Sequence, residues 1–315
     1  TEADEQRVIE HAQKIAINSD REIIHVFPQE FIVDDQWGIK SPVGMSGVRL
    51  KVKVHIVSGA ASAIMNILKS VNRVGYFVKD IVLGAYASAE AVLNNDEKEI
   101  GVLAIDIGGG TTDVALYMDG SVQHTFVIPL GGMNVTKDIS YGFKTPDAAA
   151  EMIKLNYGCA SSHIVNPHEV IEVPGVGGRS AKKMEKMILT SIIEPRIEEI
   201  FSMIYKELYN TGLLKHLSAG IVLTGGTALM PGIVDIAERV FTLPARVGFP
   251  RGISESGLKE LVSRPDCAAS VGLALYGLRH SSNFTQEKFG DKAASVNGMK
   301  KVKSKIKKAL GDFFG

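Results

Sequence analysis

A mixed α/β fold divided into subdomains is predicted by three features of this sequence. Strand-like and helix-like segments alternate along most of the chain, with a hairpin among them, which is the pattern of mixed sheets covered by helices rather than of a simple doubly wound sheet. One segment, Gly101 to Ile107, is almost continuously apolar and reads as a strand covered on both faces. The chain has 315 residues, long for one compact core, so two or more subdomains are expected.

The elements follow in order. Residues 5–17 place Val8, Ile9, Ala12 and Ile15 on one side of a helix. Residues 22–57 read as strands: an apolar run from Ile23 to Val33, a Gly/Pro-rich turn region at 38–47, then Val48, Leu50, Val52, Val54 and Ile56 alternating with Arg49, Lys51, Lys53 and His55. Such alternation gives a half-buried strand with one polar face. Ala61 to Val74 is helical, Val78 to Val82 reads as a short strand, and Ala85 to Leu93 as a helix. After the buried strand at 101–107, Val114 to Met118 turns at Asp119-Gly120, a two-residue hairpin signal, into Ser121 to Ile128. Helices are predicted over 133–141, 146–156, 181–209, 232–241 and 266–279, with a buried strand at Ile221 to Thr224. Residues 281–298 are polar and poor in aliphatics, which predicts a flexible linker.

Composition narrows the class. The chain is 45% hydrophobic and 22% charged, the profile of a globular protein, and its longest uncharged runs, such as Ser218 to Val234, are broken by Gly, Thr and Pro rather than forming a membrane span. No signal peptide opens it; Thr1-Glu2-Ala3-Asp4 begins mid-pattern without Met, as expected of a fragment or processed product. Cys159 and Cys267 lack metal-ligand spacing and read as free thiols in a reducing compartment. The net charge of zero hides an asymmetry. Residues 299–315 carry six Lys and one Asp, net +5, so the rest sums to −5, and an anionic partner is expected for the tail alone.

Two glycine loops carry the chemistry. Asp106-Ile107-Gly108-Gly109-Gly110-Thr111-Thr112-Asp113 follows the buried strand. Glycines let backbone N–H groups approach a phosphate closely, hydroxyls add bonds to its oxygens, and a neighbouring carboxylate can hold Mg²⁺ through water. No Gly-Lys-Ser/Thr follows, and the next element is a strand, so neither the P-loop nor the dinucleotide fingerprint applies. A tight hairpin using Gly for geometry alone is the bland alternative. The second loop, Thr224-Gly225-Gly226-Thr227, also ends an apolar strand, and its bare backbone could take a flat adenine; an ordinary strand-to-helix turn fits it nearly as well.

Together, the two loops resemble those of the actin, sugar-kinase and DnaK-type chaperone superfamily. Within it, His25-Val26-Phe27-Pro28-Gln29, the run from Gly38 to Gly47, Ile193-Glu194-Pro195-Arg196 and Ile221 to Thr227 resemble the FtsA family of bacterial cell-division proteins, from about residue 5 to the C-terminal helix. The resemblance implies an actin-like, ribonuclease H-like fold of two lobes with an ATP and Mg²⁺ cleft between them. It assigns 1–57 to the end of an inserted subdomain, 58–97 and 266–282 to the first lobe, and 98–133 and 213–265 to the nucleotide-binding part of the second lobe. It assigns 134–212 to that lobe's outer part, 283–298 to a linker and 299–315 to a membrane helix. It implies Asp106 as the metal-side carboxylate, Gly108, Gly109, Gly110, Thr111 and Thr112 as a phosphate loop, Gly225, Gly226 and Thr227 as the adenosine loop, and Lys154 near the nucleoside. From its residues alone, Lys154 is equally an exposed helix lysine. The superfamily's first phosphate loop, near the N-terminus of its members, is not in this sequence, which puts normal ATP binding in doubt.

Members of the superfamily hydrolyse ATP by positioning a water. Glu90 lies where some of them orient it; read by itself, it is a solvent-facing or helix-pairing glutamate. At most weak ATPase activity, serving a switch, is expected. Arg196 and Glu199 share a helix face; the resemblance makes this helix the grip on the C-terminal tail of the tubulin-like FtsZ, whereas the residues alone allow a local ion pair.

At about 100° per residue, Met299, Val302, Ile306, Ala309, Leu310, Phe313 and Phe314 share an arc of roughly 140°, with lysines over the remaining face. That is the pattern of a helix lying in a lipid interface. Charge alone would also allow a calmodulin-type or nucleic-acid partner, but a polar linker leading to a terminal amphipathic helix favours anionic lipid, and no nucleic-acid partner is expected. Five net charges at about 1 kcal/mol each give on the order of 5 kcal/mol, a reversible attachment that several tails on one assembly would make firm. The expected protein sits peripherally on the cytoplasmic face of the cell membrane at the division site, self-associating and meeting other division proteins. The alternatives are a free kinase or chaperone of the superfamily, or an actin-like pilus-assembly protein, none of which accounts for residues 299–315.

Overall fold

The computed structural model describes residues 1–14, 18–174, 180–253 and 259–280. The linker and the membrane helix expected at 283–315, with Met299, Val302, Ile306, Leu310, Phe313 and Phe314, lie outside the described residues.

The chain begins with α1 (Glu2–Gln13) and the long strand β1 (Arg21–Val33). Strands β2 (Gln36–Ile39) and β3 (Leu50–Ala60) flank β1 in an antiparallel sheet of order β2-β1-β3. Helices α2 (Ala61–Arg73), α3 (Gly84–Val92) and α4 (Asn95–Ile100) lead into β4 (Val102–Ile107), β5 (Thr112–Met118) and β6 (Ser121–Ile128). Then come α5 (Gly132–Phe143), α6 (Asp147–Tyr157), the hairpin β7 (Val170–Val173) and β8 (Lys182–Glu185), and the long helix α7 (Lys186–Thr211). Strand β9 (Ile221–Thr224), α8 (Ile233–Phe241), β10 (Ala245–Val247), the short α9 (Lys259–Val262) and α10 (Ala268–Arg279) complete the described chain.

The central sheet has the order β10-β9-β4-β5-β6, with β4 parallel to β9 and antiparallel to β5. Side chains alternate along a strand, and β4 divides accordingly. Leu103, Ile105 and Ile107 join one core with α5, α6, α7 and α8. Val102 and Ala104 join another with the alanine-rich α3 and with α10. Both faces are covered, as the apolar run predicts. The Asp119-Gly120 hairpin is present with φ of 55° and 77°, the two positive angles a type I′ turn requires. The three-stranded sheet docks on the edge strand β6, where Gln29 Nε2 donates to the carbonyls of Val122 at 3.3 Å and Gln123 at 2.9 Å.

Two expectations are corrected. Val78 to Val82 is not a strand: the N–H of Ile81 bonds to the Asp80 carboxylate at 2.8 Å and that of Leu83 to His25 Nε2 at 3.0 Å, so side chains take the donors that a ladder would use. Residues 182–185 are strand β8, paired with β7, and the helix begins only at Lys186, whose N–H bonds to the Glu169 carbonyl at 2.8 Å. The short elements β2, α4, β7 and β10 were not predicted because each is too brief to show a period.

Candidate functional site

Parallel pairing of β4 and β9 brings the two glycine loops together. Asp106 is opposite Asp113 on one side and Thr224 on the other, so both loops leave the same end of the sheet. Ligand crevices in α/β sheets lie at such strand ends.

The glycine loop is folded back against the start of α5. The carbonyl of Gly108 accepts from the N–H of Gly132 at 2.9 Å and from Thr227 Oγ1 at 3.2 Å, and that of Gly109 accepts from the N–H of Met133 at 2.7 Å. In a planar trans peptide the carbonyl and the next N–H point opposite ways. The N–H groups of Gly109 and Gly110 therefore face away from α5, and neither has an acceptor among the described residues. Two adjacent donors of this kind are groups that an anion could engage. Close approach makes glycine necessary around them: a Cβ on Gly131 would lie 2.7 Å from the Gly108 carbonyl oxygen and 2.8 Å from that of Gly109. Gly225, at φ +87°, would place a Cβ against Asp106 Oδ1 and 2.6 Å from the Ile107 carbonyl oxygen.

Asp106 and Asp113 face this end of the sheet. Burial pushes the Asp106 carboxyl above its ordinary range; the Ser88 hydroxyl, donating to Oδ2, opposes the rise and Asp113 adds to it. Burial raises Asp113 too, against the Thr111 hydroxyl that donates to it at 3.0 Å. A cation placed here would relieve both. Mg²⁺ is commonly held by one or two carboxylates, waters and the oxygens of a bound phosphate, and Asp106 fits that donor set. Among the described residues no group of three His, Cys, Asp or Glu could hold a metal by itself. Thr112 has another task, since its buried hydroxyl donates to the Leu130 carbonyl at 2.9 Å and fixes the loop from below.

Lys154 is a half-buried post rather than an exposed lysine. Its ammonium donates to the Gly132 carbonyl at 3.0 Å, Thr136 Oγ1 at 2.8 Å and Glu151 Oε2 at 2.7 Å. Burial would raise the Glu151 carboxyl, but Lys154 and Thr136 outweigh it and hold it below the usual range. Lys154 thereby ties α6 to the first turn of α5, the turn that clasps the glycine loop. Gly226 and Thr227 continue from Gly225 beside it, with the Thr227 hydroxyl joining the two loops.

Glu90 of α3 is tied into ion pairs. Both its oxygens are engaged, by Lys98 and the Tyr117 hydroxyl on one and by Arg279 at 2.6 Å on the other. Arg196 and Glu199 pair on α7, and Arg196 also forks onto Asp138 of α5 at 2.6 and 3.0 Å. Sequence reading missed Ser88, Gly131, Gly132 and Thr136; the hydroxyl at 88 within an alanine run was the one local sign.

The family model described as "Cell division protein FtsA" matches residues 103–272, and that of the "SHS2 domain inserted in FTSA" matches residues 1–58. The cell division protein FtsA of Pseudomonas aeruginosa is 44% identical over 281 residues, covering 89% of this chain and 67% of that relative, so the chain spans about two thirds of its length. Among solved structures, MreB 5 of Spiroplasma citri bound to AMPPNP has a TM-score of 0.57 at 22% identity, covering 71% of this chain and 67% of the other. The PilM–PilN type IV pilus biogenesis complex has a TM-score of 0.57 at 17% identity, covering 88% and 72%.

Proposed function

Because the chain belongs to the FtsA family of cell division proteins and has an actin-like fold, we propose that it is a peripheral tether of the division ring, binding ATP with Mg²⁺, self-associating, gripping the FtsZ tail and holding the cytoplasmic face of the inner membrane. The observation that carries the nucleotide part is the junction of the two glycine loops around Asp106, where two N–H groups without an acceptor among the described residues adjoin a carboxylate. Gly109 and Gly110 would hold phosphate oxygens through their N–H groups, with the Thr111 hydroxyl beside them. Asp106 would hold Mg²⁺ through water, and the cation would neutralise phosphate charge. Gly225, Gly226 and Thr227 would receive the adenosine, and Lys154 would act by bracing α5 and Glu151. Glu90 is committed to ion pairs with Lys98 and Arg279, which supports a switch with at most weak hydrolysis. Identity at 44% to a cell division relative favours this reading over the kinase, chaperone and pilus-assembly alternatives.

The membrane and partner parts rest on residues 299–315 and on the α7 face of Arg196 and Glu199. Co-sedimentation with anionic liposomes tests both, using the chain with and without residues 299–315 and with an FtsZ tail peptide present. Pelleting should require the tail, the peptide should pellet with the intact chain, and Arg196→Ala should weaken the peptide's apparent affinity by about tenfold while the chain still pellets. A folded, intact chain that stays in the supernatant would overturn the tether reading.

A further inference from the structure

Helix α3 is built from small buried residues: Ala85, Ala87, Ala89 and Ala91 have exposures of 2% or less. Ser88 lies among them at 1%, whereas the charged Glu90 of the same helix keeps 10% exposure within its ion pairs. Alanine would fill the place of Ser88 without leaving a hydroxyl to satisfy. A buried helix serine ordinarily returns its hydroxyl to the carbonyl one turn back, here that of Gly84. Ser88 instead reaches off the helix and donates to Asp106 Oδ2. The other oxygen, Oδ1, abuts the bare Cα of Gly225. The carboxylate is thus wedged between α3 and the second glycine loop.

The helix holding Ser88 is itself clamped. Gly272 of α10 has no room for a Cβ because the Ala87 carbonyl occupies the space, and a Cβ on Gly248 would lie 2.9 Å from that of Val92. The Val92 carbonyl accepts from Arg246 Nη2 at 3.2 Å and the Ala91 carbonyl from the Arg251 N–H at 2.9 Å. A hydroxyl on so fixed a frame has a defined position relative to β4.

We infer that Ser88 is a positioning residue of the nucleotide site, fixing the orientation in which Asp106 presents its carboxylate to a divalent cation. The inference rests on the nucleotide reading above. It has a chemical signature. Mg²⁺ demands near-ideal octahedral geometry, whereas Ca²⁺ accepts irregular and variable coordination. Loss of aim therefore costs Mg²⁺ more than Ca²⁺, a distinction that a merely space-filling serine would not produce.

The experiment is equilibrium binding of a fluorescent ATP analogue to the whole chain, titrated with Mg²⁺ or with Ca²⁺, for wild type, Ser88→Ala, Ser88→Cys and Ser88→Thr. A hydrogen bond to a charged group corresponds to about a tenfold effect or more. Ser88→Ala should raise the Mg²⁺ concentration for half-maximal binding about tenfold and the Ca²⁺ requirement less than threefold by the coordination argument. Ser88→Cys, close in volume but a weak donor, should follow Ser88→Ala and stands in for it if the alanine variant does not fold. Ser88→Thr, which keeps the hydroxyl, should stay near wild type. Unchanged Mg²⁺ dependence in both Ser88→Ala and Ser88→Cys, or equal losses for the two cations, would overturn the inference while leaving the nucleotide site standing. Wild-type protein that binds no nucleotide with either cation would instead refute the nucleotide reading, and the inference with it.

Discussion

Replacing Glu90 with Gln should destabilise the fold by about 3 kcal/mol and leave nucleotide binding intact. The Glu90 side chain is 10% exposed and that of Lys98 12%, so the substitution leaves a buried ammonium without its carboxylate. Removing one partner of a buried pair costs about 3–5 kcal/mol. The lower figure applies because Arg279, at 58% exposure, can turn to water, and because Lys98 keeps the Tyr117 ring 5.2 Å away. At about 2–4 °C per kcal/mol for a large domain, the melting midpoint should fall by about 6–12 °C. The assay is thermal unfolding followed by near-ultraviolet circular dichroism, without nucleotide, on wild type, Glu90→Gln and the double variant Glu90→Leu/Lys98→Met. Exchanging a whole buried pair for apolar groups is often neutral, so the double variant should recover most of the loss. Acid adds a second signature. Burial alone would raise the Glu90 carboxyl, but Lys98 and Arg279 outweigh it and hold it below its ordinary 4.5. A depressed carboxylate contributes stability above the ordinary range and gives it up as pH falls through the folded value, so the gap between wild type and Glu90→Gln should close in acid below that range. A Glu90→Gln protein that melts like wild type but loses ATP turnover would refute this reasoning and restore a catalytic role.

Two further outcomes test the rest of the structure. Gly132→Ala places a Cβ 2.6 Å from Thr227 Oγ1 and 3.6 Å from the Gly108 carbonyl oxygen; prising the two loops apart should weaken binding of a fluorescent ATP analogue at least tenfold, at a stability cost of about 1–3 kcal/mol. His25 must be neutral to accept the Leu83 N–H on Nε2, and it faces Asp80, His280, Tyr86 and Tyr276. Burial, with His280 adding and Asp80 opposing, lowers it below 6.5, so the unfolded chain takes up the proton first and stability falls as pH drops through that value. His25→Gln, which keeps an acceptor but cannot titrate, should flatten the decline in melting midpoint between about pH 7.5 and 5.5; an unchanged slope would contradict it.

Much of this protein was legible in one dimension. The buried strand β4, the Asp119-Gly120 turn and the amphipathic periods of α5, α7 and α8 rest on local backbone chemistry and side-chain spacing, which a sequence displays directly. The position of the glycine loops was legible for the same reason, because each is a run of consecutive glycines that ends an apolar strand. Residues 182–185 were misread because a four-residue strand at the edge of a helical run has no period of its own.

What the sequence could not decide is where separated residues meet. Thr227 reaches Gly108, 119 positions away, only because β9 lies parallel to β4. Lys154 reaches the first turn of α5, and Glu90 meets Lys98 and Arg279, through the packing of α6 on α5 and of α3 against α10. The sequence by itself determined the strands, the turn and the two glycine loops, since each depends on neighbours a few residues off. Only the tertiary structure decided that Ser88 meets Asp106, that Lys154 bonds α5 and that Glu90 pairs with Lys98 and Arg279, because those contacts depend on distances between elements that local chemistry leaves open.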